Sequence, residues 1–361
     1  MSDLDILELQ DSENVKNTFY RYPKISPHLT KFDNHYEIKT IDNQISIYKI
    51  EEIILYIIAD FKFAPIWLIQ QSFEDYNKNG YEIIENWIKV GIVWAEPSSM
   101  GVFIRPTKFL FDLMEIDDTN YRDIPFGLLN HTCAEEQIVF DLSMGNDKSE
   151  LWNLLKADKL LPCYHPLKIQ VAQDTGTFVI REEHFKINHF KPQEIKDEQD
   201  KLIQSIKTSN NNFTLEFQGD GKGNYPLFTL VNYTDKGIMV TQKPDTIIPI
   251  PRLKGQPQSC SIELELSAKT PQKYEQIMKN YKDNLIYGKL FYLCGNNRIA
   301  KLVTDAYKSV GGLGSCRLFI IPFVAPAQRL SNFNLNDEEA QKKMLKLTIK
   351  NTKGSKLNNG E

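Results

Sequence analysis

The chain has 361 residues with 41% hydrophobic side chains and a formal net charge of −4 at pH 7, which is enough length and apolar content for two or more domains. This charge excludes an overall basic surface, so contacts with nucleic acid would depend on a local patch. Five single cysteines, an acidic N-terminus and the lack of an apolar run of about 18 residues argue against a disulfide framework, a targeting peptide and a membrane span, and we expect a cytoplasmic protein with no membrane partner.

The first third of the chain changes character near residue 45. Residues 1–45 are polar without clear periodicity, which predicts an extended N-terminal arm. Three helical patterns and two strand patterns follow within 46–120: helices from Ile50, Pro65 and Tyr81, and strands at 92–95 and 102–105. Three helices followed by a hairpin is the order of a winged helix-turn-helix domain. Another small helical domain with a hairpin is the alternative.

The predicted domain at 46–120 has few basic residues with which to contact DNA. Its candidate DNA-binding residues are Lys89 on the third helix, and Arg105 and Lys108 at the hairpin. The third helix also presents Glu82 and Glu85, and acidic residues outnumber basic ones by about two to one in this segment. Because phosphate contacts dominate affinity for DNA, two roles stay open: binding of double-stranded DNA, or an interface for a protein partner or a homodimer.

The remainder of the chain changes from helical patterns to strand patterns. Residues 121–170 predict a helical linker segment. The domain at 171–326 begins with strands and ends with alternating helices and strands: strands at 178–190, 213–218, 227–233, 238–242, 246–250 and 260–266, a helix at 271–280, a strand at 285–293, a helix at 298–310 and a strand at 316–324. This order predicts the α+β class with a mixed sheet flanked by helices. A basic C-terminal tail occupies 327–361.

Two glutamates on one predicted strand are the main candidates for chemistry. Glu263 and Glu265 alternate with apolar residues, so both point to the same side of the strand. With a third oxygen ligand from Asp245 on the neighbouring strand, they predict a site for Mg²⁺ or Mn²⁺, and Lys269 follows directly. The alternative is a solvated sheet face on which the glutamates pair with lysines.

His131 and Glu135 are a second candidate, because they lie four residues apart in a predicted helix. Such a pair can bind a metal ion from one face of a helix, but a site needs a third ligand that the local sequence does not supply. A contact on the helix surface, or a buried structural histidine, is therefore the expected outcome.

The strand that carries Glu263 resembles the core of the PD-(D/E)XK nuclease-like superfamily, with Asp245 before it and Lys269 after it. The resemblance implies a restriction-endonuclease-like mixed-sheet domain in which Asp245 and Glu263 bind the cation. Glu265 stands where the superfamily pattern has a Lys. For Glu265 the resemblance implies completion of the metal shell or orientation of water. For Lys269 it implies contact with phosphate or stabilisation of charge.

Together with the winged-helix pattern, the Leu129-Asn130-His131 stretch and Tyr274 in the next helix, these residues resemble the plasmid replication-relaxation family from residue 45 to 325. This resemblance implies a DNA-associated protein of a mobile genetic element, active in replication, relaxation or conjugative mobilisation, with a metal-dependent deoxyribonuclease domain. The alternative is an inactive nuclease-like module that docks a relaxase, a conjugation ATPase or another protein of a mobilisation complex.

Overall fold

The chain divides into two compact units. In this computed structural model the described residues are 28–31, 35–39, 44–74, 79–98, 101–114, 126–144, 149–157, 162–163, 177–178, 180–181, 191–208, 213–214, 230–234, 237–248, 252–253, 259–282, 284 and 286–324. Those before residue 126 belong to the first unit and those from 126 onward to the second. Within these ranges, every helix is too short or too polar to cross a membrane.

The first unit is built from helices and two small antiparallel sheets. Its described elements are α1 Lys49–Phe61, α2 Ile66–Glu74, α3 Gly80–Lys89, α4 Lys108–Met114, β1 His28–Lys31, β2 His35–Lys39, β3 Gln44–Tyr48, β4 Ala64–Pro65, β5 Val93–Ser98 and β6 Gly101–Pro106. One sheet has the order β1-β2-β3 and the other the order β4-β6-β5. The predicted three helices and hairpin are confirmed. The predicted arm differs, because β1 and β2 lie within it, while residues 1–27 lie outside the described ranges.

Helix α3 shows how local sequence positions the first unit. The side chain of Asn79 accepts a hydrogen bond from the backbone N–H of Glu82, which is an N-cap that satisfies one free donor of the first turn. Trp87 is fully buried on the inner face of the helix. At Gly80 an added Cβ would lie 3.1 Å from the Cα of Gln70, so glycine permits the close approach of α2 and α3.

The second unit contains a five-stranded mixed sheet in the order β17-β16-β15-β13-β9. Its described elements are α5 Phe126–Met144, α6 Glu150–Ala157, α7 Pro192–Thr208, α8 Pro271–Tyr281, α9 Asn297–Ser309, β7 Pro162–Cys163, β8 Thr177–Phe178, β9 Ile180–Arg181, β10 Phe213–Thr214, β11 Leu230–Thr234, β12 Gly237–Gln242, β13 Thr246–Ile248, β14 Arg252–Leu253, β15 Ser259–Glu265, β16 Tyr287–Cys294 and β17 Arg317–Pro322. Three two-stranded ladders, β7-β8, β10-β14 and β11-β12, accompany the sheet. This mixture of helix and sheet confirms the predicted α+β class.

The direction of the strands changes at β15. Strands β15, β16 and β17 are parallel, whereas β13 runs antiparallel to both β15 and β9. Parallel neighbours need a crossover, and α8 and α9 supply it. Thr270 caps α8 by accepting from the N–H of Lys273, and Asn296 caps α9 by accepting from the N–H of Ile299.

Strand β15 is covered on both faces. All seven of its residues are buried, and Glu263 and Glu265 are each only 5% exposed. The alternation of polar and apolar residues therefore marks two buried faces, and the alternative of a solvated sheet face is wrong. Helices α8 and α9 pack with the sheet around a core that includes Tyr274, Tyr281 and Tyr292.

Helix α7 has no counterpart in the predicted elements. Its sequence is strongly polar, and only a few apolar residues mark its inner face, on which Ile195 and Gln199 are buried. The carboxylate of Glu194 accepts from the backbone N–H of Lys191 at 2.9 Å, which is half of a capping box. The predicted strand at 178–190 is described only as β8 and β9, the one at 213–218 only as β10, and the predicted tail at 327–361 lies outside the described ranges.

Candidate functional site

The sheet brings the predicted Asp and Glu side by side. Thr246 of β13 faces Ile262 of β15 in an antiparallel register, and one further step of that register sets Asp245 against Glu263. The backbone N–H of Leu264 donates to Asp245 Oδ2 at 2.6 Å, which fixes the orientation of this carboxylate at the start of β13. The first pair of the predicted constellation is thus formed by strand pairing.

Glu263 is enclosed by hydrogen-bond donors. Gln242 Nε2 donates to both of its carboxylate oxygens, at 3.0 and 3.1 Å. The hydroxyl of Tyr281 on α8 donates to Oε1. Tyr281 also lies 2.6 Å from the Ser261 hydroxyl, which is then the donor of that bond because the Tyr281 proton is already engaged.

Burial decides the protonation of Glu263. Removal from water, followed by the charge of Asp245, raises the pKa of Glu263 from 4.5 to about 8. The hydrogen bonds from Tyr281 and Gln242 and the charge of Lys269 act in the opposite direction but are outweighed. Near neutral pH this carboxyl group therefore carries a proton for much of the time.

Glu265 and Lys269 form an ion pair at the end of β15. Lys269 Nζ lies 2.6 Å from Glu265 Oε2, with the Lys269 side chain 45% exposed and that of Glu265 6% exposed. Burial alone would lower the pKa of Lys269, but the hydrogen bond and charge of Glu265 outweigh it and raise this pKa. The backbone N–H of Lys269 donates to the Tyr274 hydroxyl at 3.1 Å, which anchors the turn before α8.

His131 on α5 joins the site from outside the sheet. Its Nδ1 lies 3.4 Å from Glu135 Oε1, and its Nε2 lies 4.0 Å from Asp245 Oδ1. Burial alone would lower the pKa of His131, but the hydrogen bond to Glu135 and the charges of Asp245 and Glu135 raise it to about 9. The expected contact between His131 and Glu135 on the helix is present, and Asp245 is a third neighbour that the local sequence did not indicate.

The structure groups potential metal ligands differently from the sequence. Ligand atoms of His131, Glu135 and Asp245 all lie within 4.8 Å of one another. Among the described residues, this triplet contains the predicted ligand Asp245 but neither Glu263 nor Glu265. Cation binding by the three predicted carboxylates thus stays a prediction.

The packing of α5 against β15 brings together residues that are far apart in the chain. The spacing of His131 and Glu135 was the only local signal for it. No local signal marked Gln242 or Tyr281 as partners of Glu263, because both contacts depend on how β12 and α8 pack against β15.

The three candidate DNA-binding residues of the first unit have different environments. Arg105 donates from Nε to Glu96 at 2.5 Å, stacks 5.7 Å from the ring centre of Phe63, and is 11% exposed. Lys89 forms an ion pair with Glu85 at 3.2 Å while remaining 45% exposed. Lys108 is exposed at the start of α4. Arg105 is thus engaged within its own unit, whereas both lysines are accessible to a ligand.

The second unit therefore holds an acidic site formed by strands β13 and β15 and helix α5. Its carboxylates are Glu135, Asp245, Glu263 and Glu265, and its basic groups are His131 and Lys269. Such a group of oxygen and nitrogen donors fits a divalent cation. Comparison of the chain with protein-family models, curated proteins and solved structures finds no match in any of the three.

Proposed function

We propose that the second unit is a metal-dependent phosphodiesterase of the PD-(D/E)XK nuclease-like type. The observation that carries the proposal is the placement of Asp245, directly before β13, where its Oδ2 accepts from the backbone N–H of Leu264 on β15 and its charge acts on Glu263. The mixed sheet supports it as well, since β15 is followed directly by α8 and by the parallel strand β16. The resemblance to the plasmid replication-relaxation family makes the DNA of a mobile genetic element the proposed substrate.

Each residue of the proposed active site has a chemical role. Asp245 and Glu263 would hold a divalent cation, which stabilises developing charge on phosphate and lowers the pKa of bound water. Glu265 orients the attacking water by accepting a hydrogen bond, and Lys269 donates to a phosphate oxygen. Water adds to phosphorus and releases a proton to solvent, the P–O bond to the leaving oxygen breaks, and that oxygen takes up a proton from solvent.

The Glu265–Lys269 ion pair must loosen for this role. The 2.6 Å contact neutralises Lys269 in the absence of DNA. A phosphate group offers Lys269 an alternative anionic partner, and the 45% exposure of this side chain allows such an exchange.

For the first unit we propose a winged-helix domain that contacts double-stranded DNA. Three helices and the antiparallel sheet β4-β6-β5 support this assignment. The exposed side chains of Lys89 and Lys108 are the proposed phosphate contacts. In this proposal Arg105 stabilises the hairpin through Glu96.

A second candidate function is favoured by the enclosure of Glu263. Gln242 and Tyr281 already satisfy both of its oxygens, and Lys269 neutralises Glu265. A carboxyl group held in this way is a poor cation ligand. An inactive nuclease-like adaptor that docks a relaxase, a conjugation ATPase or another protein of a mobilisation complex would need no such ligand.

Conversion of supercoiled plasmid to open-circular or linear DNA separates these candidates. The full chain is incubated with plasmid and Mn²⁺ or Mg²⁺, alongside Asp245→Asn and Lys269→Met. Cleavage should fall about 100-fold or more in both variants. Asp305→Asn, an exposed substitution on α9 of the same unit, should cleave like the wild type. Absence of cleavage with either cation would contradict the nuclease and favour the adaptor.

A further inference from the structure

Helix α5 presents a histidine and a carboxylate to the acidic site. His131 and Glu135 lie one helical turn apart and face the same side. Side chains at this spacing can bind one ion together, as in helical metal motifs with two ligands four residues apart. Asp245 approaches them from the start of β13, with Oδ1 4.0 Å from His131 Nε2.

This separation is too long for a hydrogen bond between Asp245 and His131. An ion that binds nitrogen and oxygen at about 2.0–2.2 Å can bridge two such atoms. The ligand atoms of the three residues already lie within 4.8 Å of one another. Glu135 lies beside Nδ1 of the imidazole and Asp245 faces Nε2, so a common ion requires rotation of the His131 ring or of the Glu135 side chain.

The three side chains are accessible from solvent. The backbone N–H of Leu264 donates to Asp245 Oδ2, and Asp245 Oδ1 lies 4.0 Å from His131 Nε2. The side chains of His131, Asp245 and Glu135 are 36%, 16% and 10% exposed, so an ion can reach them from solvent.

We propose that His131, Glu135 and Asp245 form a binding site for a divalent transition-metal ion. An imidazole ligand favours Mn²⁺, Fe²⁺, Co²⁺ or Zn²⁺ over Mg²⁺, which prefers oxygen ligands alone. The remaining coordination positions are open to water or to a phosphate oxygen of DNA. This inference deepens the proposed function by naming the class of cation. It rests on the proposed function, in which Asp245 takes part in cleavage.

The test measures binding of Mn²⁺ separately from cleavage. The full chain is freed of metal with a chelator and titrated with Mn²⁺, with free ion followed by electron paramagnetic resonance. We expect one Mn²⁺ per chain in the wild type. In His131→Gln and Asp245→Asn the dissociation constant should rise by about 10- to 100-fold. Asp305→Asn should leave it unchanged.

A spectroscopic measurement on the wild type tests the metal site without any variant, so the result does not depend on how the variants fold. Electron spin echo modulation of bound Mn²⁺ detects coordinated imidazole nitrogen and should show it in the wild type. Modulation without nitrogen, or affinity that is unchanged in His131→Gln, would overturn the proposal and leave an oxygen-only site. Lack of bound Mn²⁺ would also overturn the proposal. His131 would then serve only as the partner of the Glu135 and Asp245 carboxylates.

The Mn²⁺-binding assay and the plasmid-cleavage assay test the metal site and the nuclease separately. Binding through His131 without plasmid cleavage would retain the metal site and contradict the nuclease. Cleavage that is unaffected by His131→Gln, with unchanged Mn²⁺ affinity, would retain the nuclease and contradict the site on α5.

Discussion

At the scale of single residues, Glu263 connects stability to pH. Its pKa is raised from 4.5 to about 8 by burial and by the charge of Asp245. Between these values the native state holds a proton that the unfolded chain has released. Because the native state then binds more protons, the stability contributed by this group falls as pH rises through the window.

We therefore expect Glu263→Gln to gain stability relative to the wild type as pH rises from about 5 to 8. The uncharged amide has no proton to lose, so the variant lacks this part of the pH dependence. Thermal unfolding midpoints of the wild type and of Glu263→Gln, measured across the window, test the expectation. Parallel profiles for the wild type and Glu263→Gln would contradict it.

Tyr281 gives a second test at this scale. Its hydroxyl bonds to both Glu263 and Ser261 in the buried core. Tyr281→Phe should lower the free energy of unfolding at pH 7 by about 1–3 kcal/mol, because buried polar partners lose a bond. Urea titration measures the loss. In a Glu263→Gln background, Tyr281→Phe should lower the free energy of unfolding by a different amount. Equal losses in the two backgrounds would show that the two side chains are not coupled.

At the scale of elements, helix caps define the crossovers that support the site. Asn296 accepts from the N–H of Ile299 at 3.0 Å and begins the helix that leads from β16 to β17. The next residue, Asn297, is exposed and lies within the helix. Substitutions at Asn296 and Asn297 therefore separate the effect of the cap on stability from the effect of losing an asparagine side chain.

Asn296→Ala should destabilise the chain by about 1 kcal/mol, and Asn297→Ala by no more than about half of that. The first substitution removes a hydrogen bond to the first turn of α9, and the second only shortens an exposed side chain. Urea unfolding of the two variants provides the comparison. Equal losses would mean that the Asn296 cap adds nothing to stability.

The elements from β15 to β17 were predictable because their signals are local. Alternation marked β15, and Pro271 after Thr270 marked the start of α8. Helix α7 gave a weak signal, since it buries a polar residue, Gln199, beside Ile195. The burial of Glu263 was not predictable either, because α8 covers a strand face whose alternation is typical of exposure to water.

The candidate site was predictable in part for a similar reason. Asp245 directly precedes β13, and Glu263 and Glu265 lie on the neighbouring strand β15, so the pairing of these strands brings Asp245 close to Glu263. The approach of His131 depends on packing of α5 against β15, and no sequence spacing encodes that distance.

At the scale of the whole molecule, the proposed function assigns DNA binding to the first unit. Reversal of charge in Lys89→Glu and Lys108→Glu should weaken binding to duplex DNA, and each substitution should reduce the slope of log affinity against log salt by about 1, because one phosphate group is no longer neutralised. Fluorescence anisotropy between low and moderate salt measures this slope. Lys156→Glu, an exposed charge reversal on α6, is the control. Equal slopes in the wild type and the three variants would show that neither Lys89 nor Lys108 contacts phosphate.

Asp245 is the centre of the divalent-cation site that we propose for the second unit. Anomalous diffraction from a crystal of the full chain soaked in Mn²⁺ tests it most directly. We predict an anomalous peak about 2.0–2.2 Å from Asp245 Oδ1, with His131 and Glu135 among its ligands. A map from a well-ordered soaked crystal without a peak beside Asp245 would contradict the account.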